Sequence, residues 1–167
     1  MYWCVIHTKS DRIQELVDYF NRQDHIHAFI PKIEKWFSNS KLREYQISCM
    51  FPDYIFLKTT LSKKQFNDQY AEVLKSINRF AALLEYADII ALDPNETHFL
   101  EKMLDNKDTI KHSIGHITDS ILKVDSGPLV GMECQIKKID RHKRIAVLDC
   151  GMLGKYMKVP LEVISKT

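Results

Sequence analysis

The sequence predicts an α+β protein in two parts, with a mixed α/β domain over residues 1–106, a linker at 107–115 and a small β-barrel over 116–167. Three observations predict it. Strand-like and helix-like apolar spacings alternate through roughly the first hundred residues. The run Asp105 to Ser113, DNKDTIKHS, is polar and has no consistent period. Beyond it, short β-prone segments recur between Gly, Pro and charged turns, with no helical period. A chain of 167 residues, 45% hydrophobic and 28% charged, has the material to bury a core.

Tyr2 to His7 is a β-prone apolar run and reads as a strand. Ile13, Leu16, Val17 and Phe20 follow helical spacing, with Asp11 and Gln14 placed to cap the start. Ala28 to Phe37 reads as a second strand notched by Pro31, which belongs at an edge or bulge. The polar tip Ser38–Arg43 then joins it to a return arm at Glu44–Ser48. Phe51 to Leu57 is a strand opened by a Pro-Asp turn, and Ser62 with Gln65 forms a capping box for a helix carrying Phe66, Tyr70, Val73, Leu74 and Ile77. Phe80 to Tyr86 is expected to be a strand. Asp93-Pro94-Asn95-Glu96 supplies cap, first-turn proline and acidic third position for a helix with Phe99, Leu100, Met103 and Leu104 on one face. The barrel strands are expected at Ile117–Val124, Glu133–Ile139, Ile145–Cys150 and Lys155–Val159.

The net charge of +2 is unevenly spread. Residues 115–167 hold nine Lys/Arg against six Asp/Glu, and residues 1–114 hold fifteen against sixteen. The excess concentrates at a hairpin tip, where Lys137, Lys138, Arg141, His142, Lys143 and Arg144 surround Asp140, a turn former. Clustered cations suit a polyphosphate ligand, each contact releasing a counterion; the same run also reads as a solvated tip. Cys4, Cys49, Cys134 and Cys150 are isolated, so neither paired zinc-ligand spacing nor a disulfide framework is expected. No phosphate loop, dinucleotide fingerprint or nucleophile motif is present, which argues against an enzyme, and no metal or cofactor is expected. Neither a secretory signal nor a membrane span is legible, which predicts a cytoplasmic protein with no membrane partner.

Taken together, four motifs carry a resemblance: Trp3-Cys4-Val5-Ile6-His7-Thr8 before a helix, Ala28-Phe29-Ile30-Pro31, Phe51-Pro52-Asp53-Tyr54-Ile55-Phe56, and Asp125-Ser126-Gly127-Pro128-Leu129-Val130-Gly131 in the second half. In this order the chain resembles the NusG family of transcription elongation factors over nearly its whole length. The first half looks like the family's NGN domain, an antiparallel sheet flanked by helices, and the second like its KOW domain. The run Ile139 to Arg144 is similar to the specialised LoaP paralogues. Two departures, Asp53 for a common glycine and Cys134 where the KOW pattern has another, also point away from the general factor.

The resemblance implies docking on the clamp helices of RNA polymerase through Trp3, Phe51, Tyr54, Ile55 and Phe56. It also implies binding of structured nascent RNA through Lys137, Lys138, Arg141, His142, Lys143 and Arg144. His7, Lys9 and Arg12 are candidates for contact with displaced non-template DNA, and Lys63 to Asp68 for the far wall of the channel. A monomeric processive antitermination factor is the expected whole. Two alternatives stay open: a general elongation factor whose KOW domain binds a protein, and a stand-alone RNA-binding KOW protein.

Overall fold

The computed structural model describes residues 2–7, 13–81 and 88–167. Its elements in chain order are β1 (Tyr2–His7), α1 (Ile13–Asn21), β2 (Ile26–Phe29), β3 (Lys32–Ser38), β4 (Arg43–Cys49), β5 (Tyr54–Thr59), α2 (Lys63–Ala81), β6 (Asp88–Ala91), α3 (Pro94–Met103), β7 (Thr109–Ile110), β8 (Ser113–Thr118), β9 (Ile121–Ser126), β10 (Ile136–Asp140), β11 (Ile145–Met152) and β12 (Lys155–Lys166). Contacts divide the chain into two units, one of residues 1–31 with 51–97, the other of 32–50 with 98–167.

In the first unit an antiparallel sheet runs β2-β5-β1-β6. Period-two alternation gives it two chemically different faces. One carries Cys4, Ile6, Ala28, Ile55 and Leu57 and packs with Val17 and Phe20 of α1 and Phe66 and Tyr70 of α2. Burying such side chains stabilises by roughly 1.5–3 kcal/mol each for the larger aliphatics and Phe. Asn21, closing α1, completes the free edge of β2: its amide donates to the Ala28 carbonyl at 2.8 Å and its carbonyl accepts from the Ala28 N–H at 2.7 Å. The expected capping box is formed, with Gln65 N–H donating to Ser62 Oγ at 3.3 Å and Ser62 N–H to Gln65 Oε1 at 2.9 Å. A second box starts α3, where Asp93 Oδ1 accepts from Asn95 and Glu96 and Glu96 Oε2 accepts from Asp93 N–H.

In the second unit β3 and β4 form a hairpin in register from Lys32↔Cys49 to Ser38↔Arg43, with β7 parallel to β3. The expected polar tip joins them, and Asn39 Oδ1 holds it by accepting from Lys41 and Leu42 N–H, both at 2.8 Å. The remaining strands run β10-β11-β12-β8-β9, antiparallel except for the β12–β8 pair. Among the described residues these ladders make an open five-stranded sheet, without a ladder that closes it into the expected barrel. The Gly-Pro turn has a steric origin. At Gly127, φ is +95° and a Cβ would lie 2.6 Å from Ser113 Cα, so only glycine fits. Ser113, fully buried, accepts the Leu129 N–H on its hydroxyl at 3.0 Å.

Several expected elements are placed differently. Ala28–Phe37 is two strands in two sheets, because Pro31 ends β2 instead of notching one continuous strand. Ile117–Val124 is split by a turn at Asp119 and Ser120, whose φ values of 51° and 66° suit a two-residue hairpin of the primed type. Phe80 and Ala81 close α2, residues 82–87 lie outside the described residues, and the edge strand comes later, at β6. Glu133–Gln135 is a short 3-10 turn preceding β10. The segment read as a linker contains β7 and the start of β8.

Candidate interaction surfaces

The second face of the four-stranded sheet is aromatic. Trp3, Phe29, Phe56, Phe51 and Tyr54 form a chain of rings with successive centroids 5.7–6.0 Å apart, and Tyr54 stacks on His7 at 4.5 Å. Lys58, on the same face by alternation, lies over both the Trp3 and Phe29 rings at 4.6 and 4.9 Å. Four of the five residues expected to dock therefore share this face. Ile55 does not: adjacent strand residues point oppositely, and Ile55 is fully buried against the helices. Trp3, Phe51 and Phe56 are also buried, Trp3 to 2% exposure, while Tyr54, His7 and Lys58 are half-buried and His27 and Ile90 are exposed. The accessible part of the face is thus its polar-aromatic edge, backed by a rigid aromatic layer. The Trp3 indole N–H has no hydrogen-bond partner among the described residues, a deficit of about 1–3 kcal/mol. Phe51 and Tyr54 are set by the turn that returns the Tyr54 N–H to the Phe51 carbonyl at 3.1 Å, closed without a positive φ at Asp53. Lys9 and Arg12, candidates for DNA contact, lie outside the described residues. Lys63 to Asp68 forms the exposed first turns of α2, apart from buried Phe66.

The basic tip is a four-residue connection between β10 and β11. Asp140 orders it by accepting the Lys143 N–H at 2.9 Å, and that bond holds the Asp140 carboxyl below its ordinary pKa. Arg141, His142 and Lys143 are exposed, as is Lys138 on β10. No salt bridge joins Lys138 or Arg141 to a carboxylate among the described residues, while the Lys143 charge acts on Asp140. Lys137 has one in Asp149, which raises its pKa, and it also lies over the Tyr156 ring at 5.4 Å.

Arg144 behaves differently from its neighbours. Its guanidinium stacks on Trp36 at 3.5 Å, pairs with Glu162 Oε1 at 2.7 Å and donates to Tyr45 Oη at 3.4 Å. Tyr45 Oη in turn donates to Glu162 Oε2 at 3.1 Å, and the Tyr45 ring stacks on His112 at 4.0 Å. Burial is the main reason the Tyr45 hydroxyl is raised above its usual pKa. Glu34 completes the cluster, accepting from the His112 N–H at 2.7 Å and from Lys111 Nζ at 3.0 Å, with the His112 ring nitrogen 2.6 Å away. Partial burial alone would raise the Glu34 carboxyl, but the His112 and Lys111 bonds outweigh it and lower its pKa. Arg144 thus fastens the β3–β4 hairpin to β11 and β12 and is not a free cation of the tip.

Three residues that sequence reasoning passed over belong to these surfaces. Lys58 follows Phe56 by two positions on one strand, and Tyr156 and Lys158 alternate outward from buried Met157 and Val159. That period-two pattern was the available signal. No cluster of three or more metal-ligating side chains occurs among the described residues, and no described helix is long and apolar enough to cross a membrane.

Compared with known families, residues 1–101 match the family model described as transcription termination factor nusG. No curated protein matches the chain.

Proposed function

Because the chain belongs to the NusG family, we infer that it is a specialised processive antitermination factor, placed on RNA polymerase by its first domain and on structured nascent RNA by its second. Family membership itself makes it a non-enzymatic transcription elongation factor with RNA polymerase as partner. The finer reading takes residues 1–106 as the NGN domain and 116–167 as a KOW domain of the LoaP kind, in a cytoplasmic monomer. The clamp helices of polymerase meet the aromatic face at Tyr54 and its half-buried neighbours, over Trp3, Phe51 and Phe56, since aromatic anchors dominate protein interfaces. His7, at the end of that face beside Tyr54, is the candidate for contact with non-template DNA.

One observation carries the RNA half. An ordered turn holds Lys138, Arg141 and Lys143 exposed, which is how phosphate contacts are made. Lys137 and His142 flank them, and Arg144 contributes by holding the tip in place. A panel of structured RNAs titrated with the full chain at two salt concentrations tests it. About three phosphate contacts give a slope of log K on log salt near −2 to −3, and Arg141→Ala/Lys143→Ala lowers its magnitude by roughly 1.5–2. An unchanged slope in that double variant would refute the assignment. A protein partner for the second unit is favoured by exposed Ile121, Val130 and Ile164; RNA binding that is weak, the same for every RNA and lost with salt would favour it.

A further inference from the structure

We propose that Tyr156 is a stacking platform for an unpaired base of the bound RNA, so that the second unit reads a loop or bulge and not a duplex stem alone. This rests on the RNA-binding reading above and assigns it a reading residue. Tyr156 is 67% exposed, one residue pair in from the turn between β11 and β12. Its cross-strand neighbour is Gly151, which sets no side chain against it. Lys137 approaches the ring at 5.4 Å.

The surrounding face is cationic. Lys138 pairs with Val147 and Val147 with Lys158, which puts both lysines in one row on the outer face, next to Tyr156 on β12. A register shift between Ile136 and Lys138 leaves Lys137 and Lys138 both exposed. Asp149, paired with Lys137, adds a carboxylate to this patch. Cations that follow a backbone around an exposed ring are the arrangement that binds single-stranded nucleic acid, because every base offers a face to stack. Sequence-specific recognition of RNA also falls mostly on unpaired bases.

The test compares the full chain with Tyr156→Phe, Tyr156→Leu and Tyr156→Ala. The probes are a pool of hairpin RNAs with randomised loops and a blunt duplex of the same stem. Tyr156→Phe is expected to keep hairpin affinity, while Leu and Ala weaken it roughly 10- to 100-fold, with duplex affinity and salt slope unchanged. Wild-type hairpin affinity in Tyr156→Ala, beside weakened binding by Arg141→Ala/Lys143→Ala, overturns the stacking role and leaves the RNA reading standing. Wild-type affinity in both removes the RNA reading and this inference with it. If Tyr156 only covers Gly151, Tyr156→Ala instead lowers the melting temperature and weakens hairpin and duplex equally, which also overturns the proposal.

Discussion

Replacing Arg144 separates the cations of the tip that hold the fold from those free to meet a ligand. Its guanidinium lies 3.5 Å from the Trp36 ring and 2.7 Å from Glu162, with side chains of Arg144 and Glu162 26% and 24% exposed. A partly desolvated cation–π contact contributes about 1 kcal/mol. An ion pair at that exposure, discounted for solvent screening, adds about 1 kcal/mol. Arg144→Ala should therefore cost about 2 kcal/mol, or roughly 4–8 °C in melting temperature for a chain of this size. Arg144→Lys keeps the charge but loses the planar stack, and should fall about midway. The backbone supplies an internal control. Arg144 sits at φ 51°, where glycine is relieved of about 1 kcal/mol of strain that alanine retains. Arg144→Gly should thus melt above Arg144→Ala although both lack the side chain. Thermal unfolding followed by circular dichroism should place Arg first and Ala last, with Lys and Gly close together between them. Melting of Arg144→Ala within 1 °C of wild type, together with lost RNA affinity, would refute the structural role.

Other consequences follow from the same packing. Glu34 has a depressed pKa in the folded protein, so its contribution is present above the unfolded carboxyl value near 4.3 and is lost as pH falls through the lower folded value. Melting temperature measured from pH 7 to pH 3 should fall more steeply in wild type than in Glu34→Gln. Gly127→Ala forces a Cβ to 2.6 Å from the Ser113 backbone at φ +95°, and should lose at least about 2 kcal/mol in chemical denaturation. Iodoacetamide with mass-spectrometric readout should modify exposed Cys49 and Cys134 first and Cys150 more slowly, because burial raises its pKa. Cys4, buried and pushed up to about 12, should stay unmodified until the protein unfolds.

What could be read ahead of the structure was local. The Ser62–Gln65 and Asp93–Glu96 boxes involve groups three residues apart, and both form. The α1 helix and strands β1 and β5 follow from periodicity alone. Errors fell where two elements share one apolar run. Phe80 reads equally well as strand or helix, and Asp119-Ser120 is a turn without the usual glycine. Roles set by distant partners were illegible. Arg144 looks like every other cation of its run, and Tyr45, 99 residues earlier, makes it a structural residue. Phe51, Tyr54 and Phe56 share one face, whereas Ile55 of the same contiguous motif points to the other, an alternation that the motif conceals.

The central claim is that the aromatic face of the first unit docks on RNA polymerase. Its most direct test is binding of the full chain to core polymerase, wild type beside Tyr54→Ala and Ile55→Val. The account expects saturable binding by wild type, a loss of at least tenfold in Tyr54→Ala with its melting temperature little changed, and wild-type affinity in Ile55→Val. Equal binding by Tyr54→Ala and wild type, or no binding by either, would contradict it.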